Sequence, residues 1–297
     1  MARSLARSEL EQLVDSLVLS WDDMASHTKA MLYCTVRHYL DGKIPWKITF
    51  EVDRWPDYTA VLWTHDKEET SVLAFEEGSS AVFLHWTSED CLRQLLISTS
   101  VDWTRPVLLV AFPLSGLSIL REHLENQGLP LPAAEDMFPC DTAYYLHKTC
   151  PSLEKVDRTD DKVTVAPLQP EHSHLVSSTW RHGGTPESEE RTHYHITTFP
   201  SACVYDQDGN PVSWILLNYY GSQGLGYTLP DNRGRGYFQL ASKYLISTCL
   251  QKGYLPFLFI EDYNEPSRII HRKLGYSWNE AGRCAYIRLN KNKFKSS

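Results

Sequence analysis

A seven-residue turn, Pro230-Asp231-Asn232-Arg233-Gly234-Arg235-Gly236, joins the strand-like run Leu225 to Leu229 to a helical pattern from Tyr237 to Gln251. Tyr237, Leu240, Ala241, Tyr244, Leu245 and Thr248 recur on one helical face, and Gly253 supplies a left-handed stop. A glycine-rich turn directly before a helix exposes backbone N–H groups that have no partner within the helix, and the helix dipole adds about half a positive charge at the same point. Such a junction suits a pyrophosphate. Gly234 and Gly236 let the backbone approach an anion, while Arg233 and Arg235 add charge-assisted donors. The string is neither a Walker A loop nor the dinucleotide G-x-G-x-x-G fingerprint. A solvated basic turn would have the same composition, so the flanking segments must decide.

Those segments predict a mixed α/β chain in two parts. At 297 residues the length suits two domains. The first part opens with a helical repeat, Leu10, Leu13, Val14, Leu17 and Val18, and a second helix over Met24 to Leu40. Strand-like runs follow at Trp46–Val52, Thr59–Trp63, Ser71–Phe75, Ala81–Trp86, Val107–Phe112 and Ala143–His147, with helices near Asp90–Ile97 and Leu117–Gln127. Between Cys150 and Asp161 charged residues replace the apolar pattern, which places a linker there and divides the chain into domains 1–160 and 161–297.

The second part reads as strand Val163–Leu168, helices His172–Arg181 and Glu187–Thr198, and strands Ala202–Tyr205 and Val212–Asn218 about an Asp208-Gly209-Asn210 turn. Beyond the glycine-rich junction come strand Phe257–Ile260, helix Asn264–Leu274, and strands Tyr276–Trp278 and Cys284–Leu289. Strands that pair first as hairpins and then alternate with helices make a mixed layer.

Composition removes several function classes. A net charge of −8 gives no sequence-independent grip on nucleic acid, and the longest apolar runs, Pro106–Leu114 and Leu255–Ile260, fall far short of the roughly 20 residues that span a bilayer. Seven scattered cysteines, without a C-x-x-C pair, point to a reducing compartment. His193-Tyr194-His195 and His172-Ser173-His174 look like metal half-sites but lack a third ligand at suitable spacing. Ser213 and Cys203 lack the local signatures of hydrolase nucleophiles.

The string Tyr227 to Tyr237 resembles the R-x-x-G-x-G/A acyl-CoA motif of the GNAT acyltransferase superfamily, with Arg233 and Gly236 in its first and fourth positions and Phe238 in its last. Asn264 to Tyr276 resembles the superfamily's later helix, N-x-x-A/S followed by K-L-G-[FY]. Phe199–Val204, Gly209–Trp214, Tyr227–Pro230, the W-x-x-G-G stretch Trp180–Gly184 and the W-P-[DE]-[FY] stretch Trp55–Tyr58 narrow the likeness to the glycine N-acyltransferase family and its glycine N-acyltransferase-like members.

The resemblance implies a GNAT-type mixed sheet flanked by helices in the C-terminal domain and a related, degenerate α/β N-terminal domain. It implies acyl transfer from acyl-CoA, a co-substrate, to the amino group of glycine or a similar small amino acid. No permanently bound cofactor or metal is implied. Tyr227, Leu229, Arg233, Gly234, Arg235, Gly236, Tyr237 and Asn264 would hold the co-substrate. His271 falls where the superfamily often has a tyrosine that protonates the leaving thiolate, and an imidazolium of pKa near ~6.5 can donate to a thiolate near ~8.5. Ser222 falls where glycine-conjugating relatives carry a basic glutamate, and serine cannot serve unaided. Glu261, Asp262 or bulk water are the substitutes.

A carboxylate-bearing acceptor needs a clamp such as Arg181 or Arg191. A catalytically weak acyl-CoA-binding protein and a GNAT acting on a polyamine or protein amine are the alternatives. The family implies a mitochondrial location, with the cytoplasm as the alternative, because acidic residues follow Met1–Arg7 closely.

Overall fold

The computed structural model describes residues 2–17, 26–65, 79–147, 149 and 163–290. It divides into two compact units. Unit 1 comprises Met1–Thr142 and Asn279–Ser297, and unit 2 comprises Ala143–Trp278. The division falls at Thr142 rather than near residue 160, and the C-terminal residues return to unit 1. The predicted linker and the predicted strand Ser71–Phe75 lie outside the described residues.

The chain begins with β1 (Arg3–Ser4), α1 (Arg7–Ser16), α2 (His27–Leu40), β2 (Ile48–Val52), β3 (Ala60–His65), β4 (Ser80–Trp86), α3 (Glu89–Ser98), β5 (Val107–Pro113), α4 (Leu117–Asn126) and β6 (Met137–Tyr144). Then come β7 (Thr164–Ala166), α5 (Ser173–Thr179), α6 (Pro186–Thr198), β8 (Ser201–Tyr205), β9 (Pro211–Leu217), β10 (Ser222–Thr228), α7 (Tyr237–Gln251), β11 (Phe257–Glu261), α8 (Glu265–Lys273) and β12 (Ser277–Leu289). The same succession, strand, two helices, three strands, helix, strand, helix, strand, therefore occurs twice. The expected mixed α/β architecture and the relatedness of the two halves are both present.

In unit 1, β1 to β4 pair antiparallel in sequence order, and β4 pairs β5 parallel from Ser80↔Val107 to Val82↔Leu109. The far side of β5 is taken by β12, antiparallel, with Cys284 opposite Pro113 and Leu289 opposite Val107. A core of Leu62, Leu84, Leu92, Leu95, Leu109, Leu120 and Ile287 joins the sheet to its helices. The strand after α4 starts at Met137 rather than Ala143, because Pro139 interrupts the apolar run without ending the strand. The last strand is continuous where two short ones were expected.

In unit 2, β7, β8, β9 and β10 pair antiparallel in order and β10 pairs β11 parallel. The Tyr145 N–H donates to the Pro256 carbonyl at 2.9 Å, so the chain after β6 runs beside the start of β11. Trp214, fully buried on β9, anchors a cluster with Leu168, Val176, Ile196, Cys203 and Leu216. Truncation there removes transfer energy and leaves a cavity. Trp214→Ala is expected to cost about 3–5 kcal/mol of stability, read as a lowered midpoint in thermal unfolding. Trp214→Phe should cost much less, because the indole N–H has no hydrogen-bond partner to lose. Among the described residues no helix is long and apolar enough to cross a membrane.

Candidate active site

The two parallel strands of unit 2 are joined only at their N-terminal ends, at Ser222↔Phe257 and Gln223↔Leu258. Beyond them β10 carries a bulge between Gly224 and Tyr227 against β9, and Leu225 adopts φ +51°. An extra residue bends the strand and twists it. β10 and β11 therefore part toward their C-terminal ends.

The turn that follows is a brief 3-10 helix, Pro230–Asn232, and then Gly234 and Gly236 at φ +77° and +80°. An added Cβ at Gly234 would meet nothing within 4 Å, so this glycine serves the backbone conformation rather than close packing. Gly236 is the N-cap of α7 and brings no side chain to the first turn, which also contains no acidic residue. Its N–H groups stay open to an anion. Arg233 lies over the Tyr227 ring at 5.4 Å and donates to the Thr228 carbonyl and the Tyr227 hydroxyl, both at 3.2 Å. Those two bonds leave the rest of its donor fork for the ligand side. Arg235 is exposed, Tyr237 is buried at the first turn of α7, and Leu229 is tied by its N–H to the Val212 carbonyl at 3.0 Å.

Phe238 stands where the motif has a small residue, and Gly226 in the bulge makes room for it. A Cβ on Gly226 would lie 2.7 Å from the Phe238 ring.

The corresponding junction in unit 1 is different. Ser88 caps α3 by accepting from the Cys91 N–H, and Glu89 and Asp90 occupy the first turn. A capped, acidic helix start repels an anion, so unit 1 repeats the order of elements without an uncapped, glycine-flanked helix start.

Ser222 and His271 occupy surroundings unlike those expected, while Asn264 begins its helix as predicted. Ser222 is 1% exposed, its hydroxyl accepting from Asn218 Nδ2 at 2.9 Å and its carbonyl from the Asn218 N–H at 2.8 Å. It locks the β9–β10 turn and is no candidate for proton transfer. Asn264 caps α8, its side-chain oxygen accepting from the Ser267 N–H at 3.2 Å.

His271 is 3% exposed, with Phe238 and Tyr276 edge-on to its ring at 5.7 and 5.2 Å. Burial pushes its pKa down to about 4, against a smaller opposing effect of the Ser267 carbonyl. That carbonyl, 2.8 Å from Nδ1, can only accept, so the hydrogen sits on Nδ1 and the unpartnered Nε2 carries a lone pair. The imidazolium donor expected at this position is therefore replaced by a neutral imidazole whose open nitrogen accepts.

The α5–α6 turn closes over the end of β11. Its Gly183 has no alternative, since a Cβ there would fall 2.0 Å from the Ser177 carbonyl oxygen. Gly183 N–H donates to the Trp180 carbonyl at 2.9 Å and Gly184 N–H to Ser177 Oγ at 3.3 Å. The turn presents His182 to Glu261, Nε2 to Oε1, at 3.5 Å, and lays Arg181 over the Tyr263 ring at 4.5 Å. Arg191, 6% exposed, packs on Trp180 at 5.1 Å. His182 carried no signal of its own in the sequence beyond its place in W-x-x-G-G. Among the described residues no group of three His, Cys, Asp or Glu side chains could hold a metal ion.

The comparisons with known proteins bear on the same region. The family described as FR47-like protein matches residues 204–284, from β8 into β12. A Rattus norvegicus glycine N-acyltransferase-like protein Keg1 is 26% identical over 266 residues, covering 84% of this chain and 89% of that protein. A Mus musculus glycine N-acyltransferase is 25% identical over 264 residues, covering 83% and 85%. These relatives place the chain among the N-acyltransferases. The fold of this N-acyltransferase agrees with a Drosophila protein of known crystal structure, at TM-score 0.70, 18% identity and coverage of 97% of this chain and 98% of that one. It agrees also with a tandem GNAT protein from the clavulanic acid biosynthesis pathway, at TM-score 0.56, 12% identity and 97% coverage of both chains. The acyltransferase thus has a GNAT-type architecture in which the uncapped turn of unit 2 lies inside the segment matched by the FR47-like family.

Proposed function

We propose that this N-acyltransferase moves an acyl group from acyl-CoA to the amino group of glycine or a similar small amino acid, in unit 2. The reading is carried by the uncapped, twice-glycine turn between β10 and α7, set beside the gap where β10 leaves β11. In this reading the turn and Arg233 hold the CoA pyrophosphate, and the pantetheine arm enters the gap past Tyr227, Leu229 and Asn264. N–H groups of the Gly224–Tyr227 bulge polarise the thioester carbonyl, as oxyanion donors do elsewhere.

The amino-acid acceptor is supported by Arg181. It is exposed, stacks on Tyr263 and makes no ion pair among the described residues, so its guanidinium stands ready for a carboxylate. A polyamine would meet repulsion at that point. The names of the mammalian relatives support glycine in particular.

The test is CoA release by the purified chain with acetyl-, benzoyl- and a long-chain acyl-CoA against glycine, other amino acids and spermidine. Release dependent on a small amino acid is expected. Arg181→Ala should raise KM for that amino acid roughly tenfold, a charged hydrogen bond being worth about 1.5–3 kcal/mol, with CoA affinity unchanged. CoA binding without acceptor-dependent release would favour a binding protein, which the closed position of Ser222 would suit. Preference for spermidine would remove the carboxylate clamp.

A further inference from the structure

Acyl transfer requires that the attacking amine lose a proton, and the serine at the expected base position is sealed into the sheet. Glu261 ends β11 at the open end of the gap. Its Oε1 lies 3.5 Å from His182 Nε2, and its Oε2 accepts from the Tyr263 hydroxyl. The His182 ring packs edge-on against Trp180 at 5.5 Å. A turn in which Gly183 admits no Cβ fixes the histidine from below. Two residues 79 apart in sequence are thus brought together on stiff supports.

We propose that His182 is the general base of this acyltransferase and that Glu261 is its positioning residue, an assignment that rests on the acyl-transfer reading above. A carboxylate only accepts, so Nε2 carries the hydrogen toward Glu261 and Nδ1 receives the substrate proton. As the amine nitrogen bonds to the thioester carbon, Nδ1 takes one proton from that nitrogen. The C–S bond then breaks, and the proton passes from the imidazolium through solvent to the departing sulfur. Amide and CoA thiol leave, and the imidazole is neutral again. Glu261 orients the ring and stabilises the imidazolium.

Among the described residues, the charged and titratable groups near the ring include Glu261 and Asp262 at the end of β11, Tyr263 beyond them, Arg181 on the same turn and Arg191, which packs on Trp180. Asp262 is already engaged by Arg268 of α8 at 3.4 Å. Glu261 contacts His182 directly.

The experiment measures kcat and acceptor KM for CoA release by the full chain, with CoA affinity alongside. His182→Gln should lower kcat by about 10²-fold or more and keep acceptor KM and CoA affinity. Glu261→Gln should lower kcat without raising KM, and Glu261→Asp should restore part of kcat. Unchanged kcat in a CoA-binding His182→Gln chain would overturn the dyad while leaving acyl transfer standing. Absence of acceptor-dependent release from the unmodified chain would overturn both. Should His182→Gln lose CoA binding through misfolding, Glu261→Gln decides: a lowered kcat rescued by Glu261→Asp supports the dyad, and an unchanged kcat overturns it.

Discussion

Acidification from pH 7.5 to 5.5 is expected to lower the thermal midpoint of this protein by roughly 10 °C or more, the heat-unfolding equivalent of about 4 kcal/mol. The cause is a set of histidines folded in neutral form. His27, His65 and His85 in unit 1 are 2%, 5% and 8% exposed, and burial lowers their pKa values from 6.5 to about 4, 3 and 4. His195 and His271 in unit 2, 4% and 3% exposed, are lowered to about 3 and 4 by the same cause.

Between the folded pKa and 6.5 the unfolded chain binds a proton that the folded chain refuses. Stability is therefore whole above about pH 6.5 and falls as pH drops toward the folded values, by about 1.4 kcal/mol per group for each pH unit. One unit below 6.5, the three histidines of unit 1 together cost about 4 kcal/mol, a large part of the usual 5–15. Thermal scans at pH 7.5, 6.5 and 5.5 check this. His65→Phe should flatten the decline, and a midpoint independent of pH over this range would show that these rings are not buried neutral.

The second large effect concerns the turn proposed to hold the CoA pyrophosphate. Arg233→Ala is expected to weaken CoA binding at least tenfold, from the loss of a charged donor worth about 1.5–3 kcal/mol. Gly236→Asp should weaken it about a hundredfold. A non-glycine residue at φ +80° pays about 1–2 kcal/mol, and the new carboxylate would face the phosphates at the positive end of α7. Titration calorimetry with CoA and with pantetheine separates the contributions, since pantetheine lacks the pyrophosphate and should bind both variants as it binds the parent. Undiminished CoA affinity in Arg233→Ala would remove the turn from the binding site.

The glycine-rich turn before α7 was the part of the fold most legible in the sequence, because its determinants are local. Two glycines, two arginines and the start of an amphipathic helix are contiguous, and α7 spans Tyr237–Gln251 as its periodicity predicts. Contacts made across the fold were not legible. Nothing in the strings around His182 and Glu261 reports that one turn folds over the end of a strand, and the bulge in β10 shows only as a scatter of glycines. His271 sits at the position its spacing indicates, yet α8 buries that histidine while leaving Ile269 46% exposed, the reverse of what their polarity suggests. Counting back from Thr228 reached Ser222 but could not register that Asn218 holds it. The predicted boundary followed a run of charge, which reports solvation. Membership of a sheet is decided by strand pairing, for which β12 offers no local signal.

The return of β12 to unit 1 bears on how the protein is made. The strand that pairs with β5 leaves the ribosome long after β1 to β5 have emerged. During synthesis the edge of β5 must wait through the whole translation of unit 2 before its partner exists. A nascent chain stalled or clipped anywhere before residue 279 offers that bare apolar edge to chaperones, to neighbouring nascent chains or to aggregation. Cutting the gene at the apparent linker would accordingly yield an orphaned half.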